Sequence, residues 1–594
     1  NTDINRHYYE LQERDVENLD VAVTLPVSYS QQYLWNRELA IRWDLTKNLK
    51  LNFTSATHAE VEEPYGPVNK DLYPDEYSAW KDSVKQSLIR LGRPMDYQQT
   101  FSASYQAPLN KIPALDWVTA DASFNSSYNW NRGTMLDNGV SLGNTIANQR
   151  RININGRFNM ETLYNKVPFL KETNKRFAAT AKKAPSKNVR NNQKILEEKK
   201  KQTELAKKTF TKEVQLRPDT TVTVPHARKS KRVKVRAKTA DGKTYPIRYK
   251  VLDENTIMIR NLDSVKIKLS VVAGPKPEEQ SWYKPAQVIA RAAMMVRNFS
   301  ISYTNTYAMS VPGFIPSVGD AFGQGKNGGI FAPGLDFAFG LQGDDYLNRA
   351  SERGWLMCSD SVATPATTNA MEDFQFKMTL EPFRDFKIDL NASRTMNRSR
   401  SIQYMYAGMP EIQSGNFNMT VITIGSAFGG VGNSGNGYSS RPFSRFIKNL
   451  DIIQKRIEAQ YAGAVYPVGT ALAGQPYDVA NGGVNKYSSD VMIPAFLAAY
   501  TGRDVGSSAL DIFPSLLKMM PNWTIKYAGL GKLPWFSEHF KSVTLSHGYK
   551  SVYSVGSFNT YQSFRSFMGE RGFIENTQTG NPVPSSMYDV NTVS

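Results

Sequence analysis

The sequence predicts a mainly β protein: an antiparallel transmembrane β-barrel with about ten long strands, helical extracellular loops and a small periplasmic α+β insert. Three observations carry this reading. Apolar and polar residues alternate with a period of two through much of the chain, the mark of strands with one apolar and one polar face. The alternating runs last about ten residues, twice the usual soluble strand. At ~3.3 Å per residue and ~45° tilt each covers roughly 23 Å, close to the apolar band of an outer-membrane barrel. The links between runs are alternately short and long, as in bacterial barrels that keep tight turns on the periplasmic side.

In chain order, a first hairpin sets Leu39, Ile41, Trp43 and Leu45 against Glu38, Ala40, Arg42 and Asp44. It turns at Thr46-Lys47-Asn48 and returns through Leu49, Leu51 and Phe53, interleaved with Lys50, Asn52 and Thr54. The next runs hold Tyr97, Phe101, Ala103 and Tyr105, then Val118, Ala120, Ala122, Phe124 and Tyr128. Ile152, Ile154 and Phe158 precede a long insert; Phe299, Ile301 and Tyr303 follow it. A second hairpin pairs Phe374, Phe376, Met378 and Leu380 with Phe386, Ile388, Leu390 and Ala392, leaving Gln375, Lys377, Thr379, Lys387, Asp389, Asn391 and Ser393 on the other face. Trp523, Ile525 and Tyr527, then Val543, Leu545 and Tyr549, complete the set. Residues 21–27 offer an eleventh strand and 31–38 alternate poorly, so the topology of 1–36 stays open.

Strand direction must alternate in such a barrel. With 46–48 periplasmic, 108–115, 159–295, 381–385 and 531–539 fall on the same side, and 59–94, 129–147, 308–371 and 396–520 on the other, where they are expected to fold over one mouth. The chain thus divides into barrel strands over 1–158 with a helical loop at 59–94, a basic insert over 159–295, and barrel strands over 296–594 with long loops at 308–371 and 396–520. Residues 75–91 read as an amphipathic helix with Pro74 near its start, Trp80, Val84, Leu88 and Leu91 on one face, and a stop at Gly92 to Pro94. Residues 442–462 and 491–501 also read as helical. Inside the insert, 188–216 is rich in Ala, Glu, Lys, Gln and Leu and predicts a helix. Short strands follow around Val222, 233–237, 245–251, 256–260 and 265–272, with a hairpin turn at Ala240-Asp241-Gly242.

Composition narrows the classes further. A single cysteine in 594 residues, Cys358, excludes an internal disulfide framework. No stretch approaches the roughly 18 apolar residues of a membrane-spanning helix. The opening Asn1-Thr2-Asp3 carries neither an initiator methionine nor a basic-then-apolar leader, so the reading expects an internal fragment. The net charge of +18 is local: residues 171–250 hold 25 basic and 7 acidic residues, and the other 47 of each sign cancel. The pI of about 9.5 therefore describes one segment.

Gly323-Gln324-Gly325-Lys326-Asn327-Gly328 matches a dinucleotide-binding pattern but runs towards Pro333 with no preceding apolar strand, and is read as a loop. His7, His58, His226, His539 and His547 are scattered, and with Cys358 they offer no metal-ligand spacing. Asp344-Asp345 and Asp360 are read as solvated loop acids rather than a calcium site. No Gly-x-Ser-x-Gly elbow or other nucleophile context occurs, so no catalytic residue, cofactor or metal is expected. The basic residues of 199–212 and Arg228-Lys229-Ser230-Lys231-Arg232 suit phosphate contacts, but Phe210 is the lone aromatic between 178 and 244, so nucleic acid is not expected.

The same residues resemble a family, the SprA/Sov outer-membrane translocons of type IX secretion and gliding motility in Bacteroidota. The resembling stretches are Trp43-Asp44-Leu45-Thr46-Lys47-Asn48-Leu49, Glu63-Pro64-Tyr65-Gly66, Ala79-Trp80-Lys81-Asp82-Ser83-Val84, Asn110-Lys111-Ile112-Pro113-Ala114-Leu115-Asp116-Trp117 and Asn155-Gly156-Arg157-Phe158-Asn159-Met160-Glu161-Thr162-Leu163-Tyr164. Late in the chain come Ile493-Pro494-Ala495-Phe496-Leu497-Ala498-Ala499-Tyr500, Pro521-Asn522-Trp523, Tyr527-Ala528-Gly529-Leu530 and Leu545-Ser546-His547-Gly548-Tyr549. The insert over 171–275 is the least similar part. The resemblance implies one arc of a very large single-chain barrel in the bacterial outer membrane, passing folded cargo proteins that bear a C-terminal secretion signal. It also implies a lateral opening, a PorV-type partner and a periplasmic plug protein.

On the barrel reading, Leu39, Ile41, Trp43, Leu51, Phe53, Phe374, Phe376, Ile388 and Leu390 face the lipid bilayer, and Arg42, Lys50, Asn52, Lys377, Lys387, Asp389 and Asn391 face the lumen. Two rivals stand beside it: a nutrient-uptake barrel, and a soluble basic adhesin or nucleic-acid-binding β-protein.

Overall fold

Only a strand puts every second side chain on one face, so long period-two runs have no helical alternative. In the computed structural model these runs form a 14-stranded antiparallel sheet. The structure describes residues 1–13, 26–136, 139, 141–177, 208–218, 220–260, 263–274, 280–327, 329–358, 364–406, 409–430 and 432–594. β1 (Thr2–Leu11), β2 (Ser28–Asp44), β3 (Leu49–Glu60), β4 (Arg93–Gln106), β5 (Val118–Asn131) and β6 (Asn144–Asn159) pair in succession. The expected helix occupies Pro74–Ile89 between β3 and β4, and the chain turns out of it with positive φ at Leu91 and Gly92.

The insert follows β6. It contains β7 (Phe210–Gln215), β8 (Thr221–Pro225), β9 (Val233–Thr239), β10 (Thr244–Tyr245), β11 (Arg248–Val251), β12 (Thr256–Arg260) and β13 (Lys266–Ala273). They form sheets ordered β10-β9-β13-β7 and β11-β12-β8, around a core that includes Val214, Leu216, Val224, Ile257, Ile259 and Leu269. The predicted turn closes β9 onto β10, with Gly242 N–H donating to Thr239 O at 2.9 Å. Most of the helix expected over 188–216 lies outside the described residues. Its end is corrected: Phe210–Gln215 is a strand, held against residues 266–271 of β13 because that pairing buries Val214 in the insert core.

β14 (Val296–Phe314) then pairs with β6, so the two strands flanking the insert are neighbours. β15 (Gly325–Asn327) and β16 (Ile330–Ala332) form a small hairpin in the next loop. β17 (Ala366–Leu380) and β18 (Phe386–Ile402) continue the large sheet. Beyond them come β19 (Glu411–Thr420), β20 (Asn522–Tyr527), β21 (Leu545–Tyr549), β22 (Val552–Thr560), the small sheet of β23 (Arg565–Met568), β24 (Arg571–Glu575) and β25 (Pro582–Ser586), and β26 (Tyr588–Val593).

Expectation and structure part in three places. The sheet strands Thr2–Leu11, Glu411–Thr420, Val552–Thr560 and Tyr588–Val593 were not expected, because their residues mix charge, glycine and asparagine instead of alternating cleanly. Second, 396–520 is not all loop. β18 is paired on one side by two collinear pieces, β19 along residues 394–402 and β20 along residues 386–391, and Met520 N–H bonds Thr420 O at 3.1 Å where they meet. Residues 421–521 thus leave and rejoin the sheet halfway along one strand track. Third, the long loops were expected to fold over a mouth, yet 315–356 and 421–521 pack against one face of the sheet. Buried Tyr97, Tyr128, Trp130, Ile146, Met309 and Val311 meet Phe337, Tyr346 and Trp355 of the first cover, and Met396, Phe417, Met419 and Tyr553 meet Ile493 and Ile512 of the second. The strand order runs from β1 to β26 without returning to β1 among the described residues.

Candidate functional site: the two faces of the sheet

Register decides which side chains share a face. Trp43, Ile41 and Leu39 lie opposite Leu51, Phe53 and Ser55, and those opposite Ala103, Phe101 and Gln99. Across β14, β17 and β18 the rows run Ile301–Phe376–Ala392 and Phe299–Met378–Leu390, while Tyr303 lies opposite Phe374 and Leu380 opposite Ile388. Ile388 and Leu390 then meet Ile525 and Trp523. The nine residues assigned to an apolar face therefore sit on one side in strict alternation. Arg42 lies opposite Asn52, Asp44 opposite Lys50, Lys377 opposite Asn391 and Thr379 opposite Asp389, while Lys387 pairs with Lys526, so the seven polar ones share the other side.

Polar character on that second side persists along the strands, and side chains bridge from strand to strand. Asn153 donates to Ser123 (3.2 Å) and accepts from Thr304 (3.0 Å); Asn155 donates to Asp121 (2.9 Å) and accepts from Ser302 (2.7 Å). Asp373 accepts from Thr395 at 2.8 Å and Asn397 donates to Asn416 at 2.8 Å. An amide carries both donor and acceptor, so it can link two neighbours at once while the face stays water-accessible.

The apolar side is divided in two along its height. Its half nearest the short turns is uncovered, with Trp43 58% and Ile41 48% exposed. The other half lies under the two covers. Phe53 marks the boundary and corrects one assignment: it is 8% exposed beneath Phe322 (5.2 Å) and Phe339 (6.4 Å) of the first cover, so protein rather than solvent or lipid meets it. On β5 the apolar run from Val118 to Phe124 spans six residue steps, about 20 Å along the strand at ~3.3 Å each. Tilted by ~45° this is ~14 Å, short of the ~25 Å apolar band of outer-membrane barrels. Exposed Phe322, Leu335 and Leu341 on the cover, and exposed Phe383, Trp535 and Phe540 beyond the turns, carry apolar surface above and below it.

Aromatic rings collect along the turn-side edge. Trp117 meets Phe158 at 6.0 Å, Phe158 stacks on Phe299 at 4.2 Å, Phe383 stacks on Phe386 at 4.6 Å, and Phe386 meets Tyr527 at 6.0 Å. Trp43 and Tyr105 stand exposed at the same end of β2 and β4.

The other candidate residues have local structural roles. His58 Nδ1 bonds Asp96 Oδ1 at 2.7 Å, His539 Nδ1 lies 2.8 Å from Trp535 O, and buried His226 accepts from Arg228 N–H at 3.1 Å. His7 and His547 sit in β1 and β21, opposite Gln32 and Ile525. No three His, Cys, Asp or Glu side chains gather to hold a metal ion among the described residues. Asp344 pairs with Arg400 at 3.6 Å and Asp345 with Arg349 at 3.0 Å; Asp360 lies outside the described residues. The glycine pattern opens no helix. Gly325 begins β15, where an added Cβ would come within 1.8 Å of Ser317 O, and one on Gly323 would meet Tyr128 at 2.4 Å, so close packing explains both glycines.

The second cover holds a buried ion pair that no sequence motif signals. Asp490, at the start of the helix Ser489–Thr501, is 2% exposed and lies 3.6 Å from Arg571 of β24. Burial pushes its carboxyl above the usual aspartate range, opposed by the Ser488 hydroxyl and the Arg571 guanidinium.

No protein-family model and no curated protein matches this chain.

Proposed function

We propose that this chain is a segment of an outer-membrane β-barrel that conducts proteins: a non-enzymatic arc of a type IX secretion and gliding-motility translocon, with the insert in the periplasm and the covers at the cell surface. One observation carries the reading. A sheet with one polar face and one partly uncovered apolar face, edged by aromatics at its turn side, matches a layer with hydrocarbon on one side and water on the other. The polar face suits a conduit because hydrated Asn, Ser and Thr give passing polypeptide no apolar surface on which to lodge. The family resemblance supplies the rest of the proposal: folded cargo bearing a C-terminal secretion signal, a PorV-type partner and a periplasmic plug protein.

Photo-crosslinking residues placed at Asn52 and Lys377, in cells making the complete reading frame, test it. Capture of secreted polypeptides at both positions is expected. Capture of glycan or siderophore instead transfers the chain to the nutrient-uptake class, and recovery of the complete product in the soluble fraction without detergent refutes both membrane readings.

A further inference from the structure

The insert turns a basic sheet face to the outside. Its two sheets share one core, with Ala237, Ile267 and Leu269 from β9 and β13 packed in the same cluster as Val224, Ile257 and Ile259 from β8 and β12. Side chains alternate along a strand, so the residues between those core positions point away from the core. On β9 these are Lys234, Arg236 and Lys238, and on β13 Lys266 and Lys268, all exposed.

Register sets the cations side by side. Lys238 lies directly opposite Lys268, and Arg236 lies opposite Ser270. Like charges facing each other across an antiparallel pair destabilise it. Glu213 is the only acidic residue of β7, β9, β10 and β13, and it is already engaged: it lies opposite Lys268 but pairs with Lys266 at 3.1 Å. Lys234, Arg236, Lys238 and Lys268 have no carboxylate partner among the described residues. Mutual repulsion does nothing to hold the insert together, whereas an acidic partner would turn it into attraction.

The face also restricts the partner. Phe210 and Tyr245, the aromatics of these strands, lie opposite Val271 and Ala237 and pack against the core, so no ring is offered for the bases of a single-stranded nucleic acid to stack on. Along β9 three cations recur at every second residue, about 6.6 Å apart. An extended polypeptide presents alternate side chains at the same interval. Carboxylates at every second residue would therefore meet Lys234, Arg236 and Lys238 in turn, with Lys268 beside the last. We propose that this face docks an acidic stretch of polypeptide lying extended along β9. The inference stands on the insert alone and does not depend on the chain meeting a bilayer.

Fluorescence anisotropy of a labelled peptide of alternating Glu and Ser, titrated with the purified full-length chain, tests it. Saturable binding is expected, and it should weaken as salt rises from about 50 to about 500 mM. Arg236→Glu combined with Lys268→Glu should weaken it at least tenfold. Arg248→Glu combined with Lys250→Glu makes the same change of net charge on the outer face of the other sheet, and should leave the affinity within about twofold. Lys238→Glu places an acid opposite Lys268, so it should raise the melting temperature of the insert while weakening the peptide at least threefold, which separates binding from folding. Absence of saturation up to about 1 mM peptide, equal losses in the two double variants, or unchanged binding in Lys238→Glu overturns the proposal. Tighter binding of an oligothymidylate of equal charge overturns it in favour of nucleic acid.

Discussion

Ile388→Arg separates a bilayer-facing sheet from one that only meets water. Ile388 projects from the apolar side of β18, opposite Leu380 on β17 and Ile525 on β20. Apolar residues on that side run from exposed Phe383 in the turn, through Phe386, Ile388 and Leu390, to Ala392, and Arg394 follows, so Ile388 lies near their middle. An arginine near a bilayer midplane costs a transmembrane barrel ~2 to 4 kcal/mol. That lowers the folding equilibrium constant by roughly 30- to 700-fold, at 1.4 kcal/mol per decade. Ile388 is half-exposed, so in water alone the same change should stay within about 0.5 kcal/mol. Asn391→Arg provides the internal control, because Asn391 is exposed on the polar face opposite Lys377 and should tolerate the change in either setting. Urea titration of each variant reconstituted in phospholipid vesicles, followed by tryptophan fluorescence, reads the difference. A gap of ~2 kcal/mol or more between the two variants is expected, and equal stabilities would refute the assignment of the apolar face to hydrocarbon.

Three further outcomes follow from the covers and the insert. Phe337→Ala removes a fully buried ring set edge-on to Tyr128 at 5.9 Å and 4.6 Å from Tyr346, and should cost ~3 to 5 kcal/mol. Hydrogen exchange should then quicken across the first cover while the turn-side half of the sheet keeps its protection; uniform quickening would show that the cover is not a separate layer. Because burial raises the Asp490 pKa, its folded form holds a proton more tightly than the unfolded chain, and its contribution to stability is lost as pH rises through the folded value. The parent chain should therefore gain melting temperature relative to Asp490→Asn as pH falls from about 7 to 4, and a pH-independent difference would contradict this. In the insert, burial and nearby Arg228 push the His226 pKa down, so stability held above the ordinary histidine value should fall as pH drops below about 6.5. Amide exchange in β8 and β12 should register that loss, and His226→Gln should abolish the pH step.

Much of the sheet is legible in the sequence because alternation is a local property. Thr46-Lys47-Asn48 and the flanking Leu, Ile and Trp positions are enough to define the first hairpin and both its faces. The register of β17 against β18 follows from the apolar residues on either side of 381–385. Where alternation fails, the signal fails with it: Glu411–Thr420 joins the sheet through backbone pairing with β18 and burial of Phe417 and Met419, neither of which a period-two pattern displays.

By itself, the sequence determined which side chains share a face, since the two-residue repeat of an extended chain fixes that within each strand, and it placed the insert between two neighbouring strands. Tertiary structure alone decided what each face meets. Residues hundreds of positions apart lay the covers over half of the apolar side, split one strand track into β19 and β20, and crowd Arg291 and Arg297 around a single carboxylate. Burial depends on what packs from elsewhere in the chain, and no local pattern of side chains carries that information.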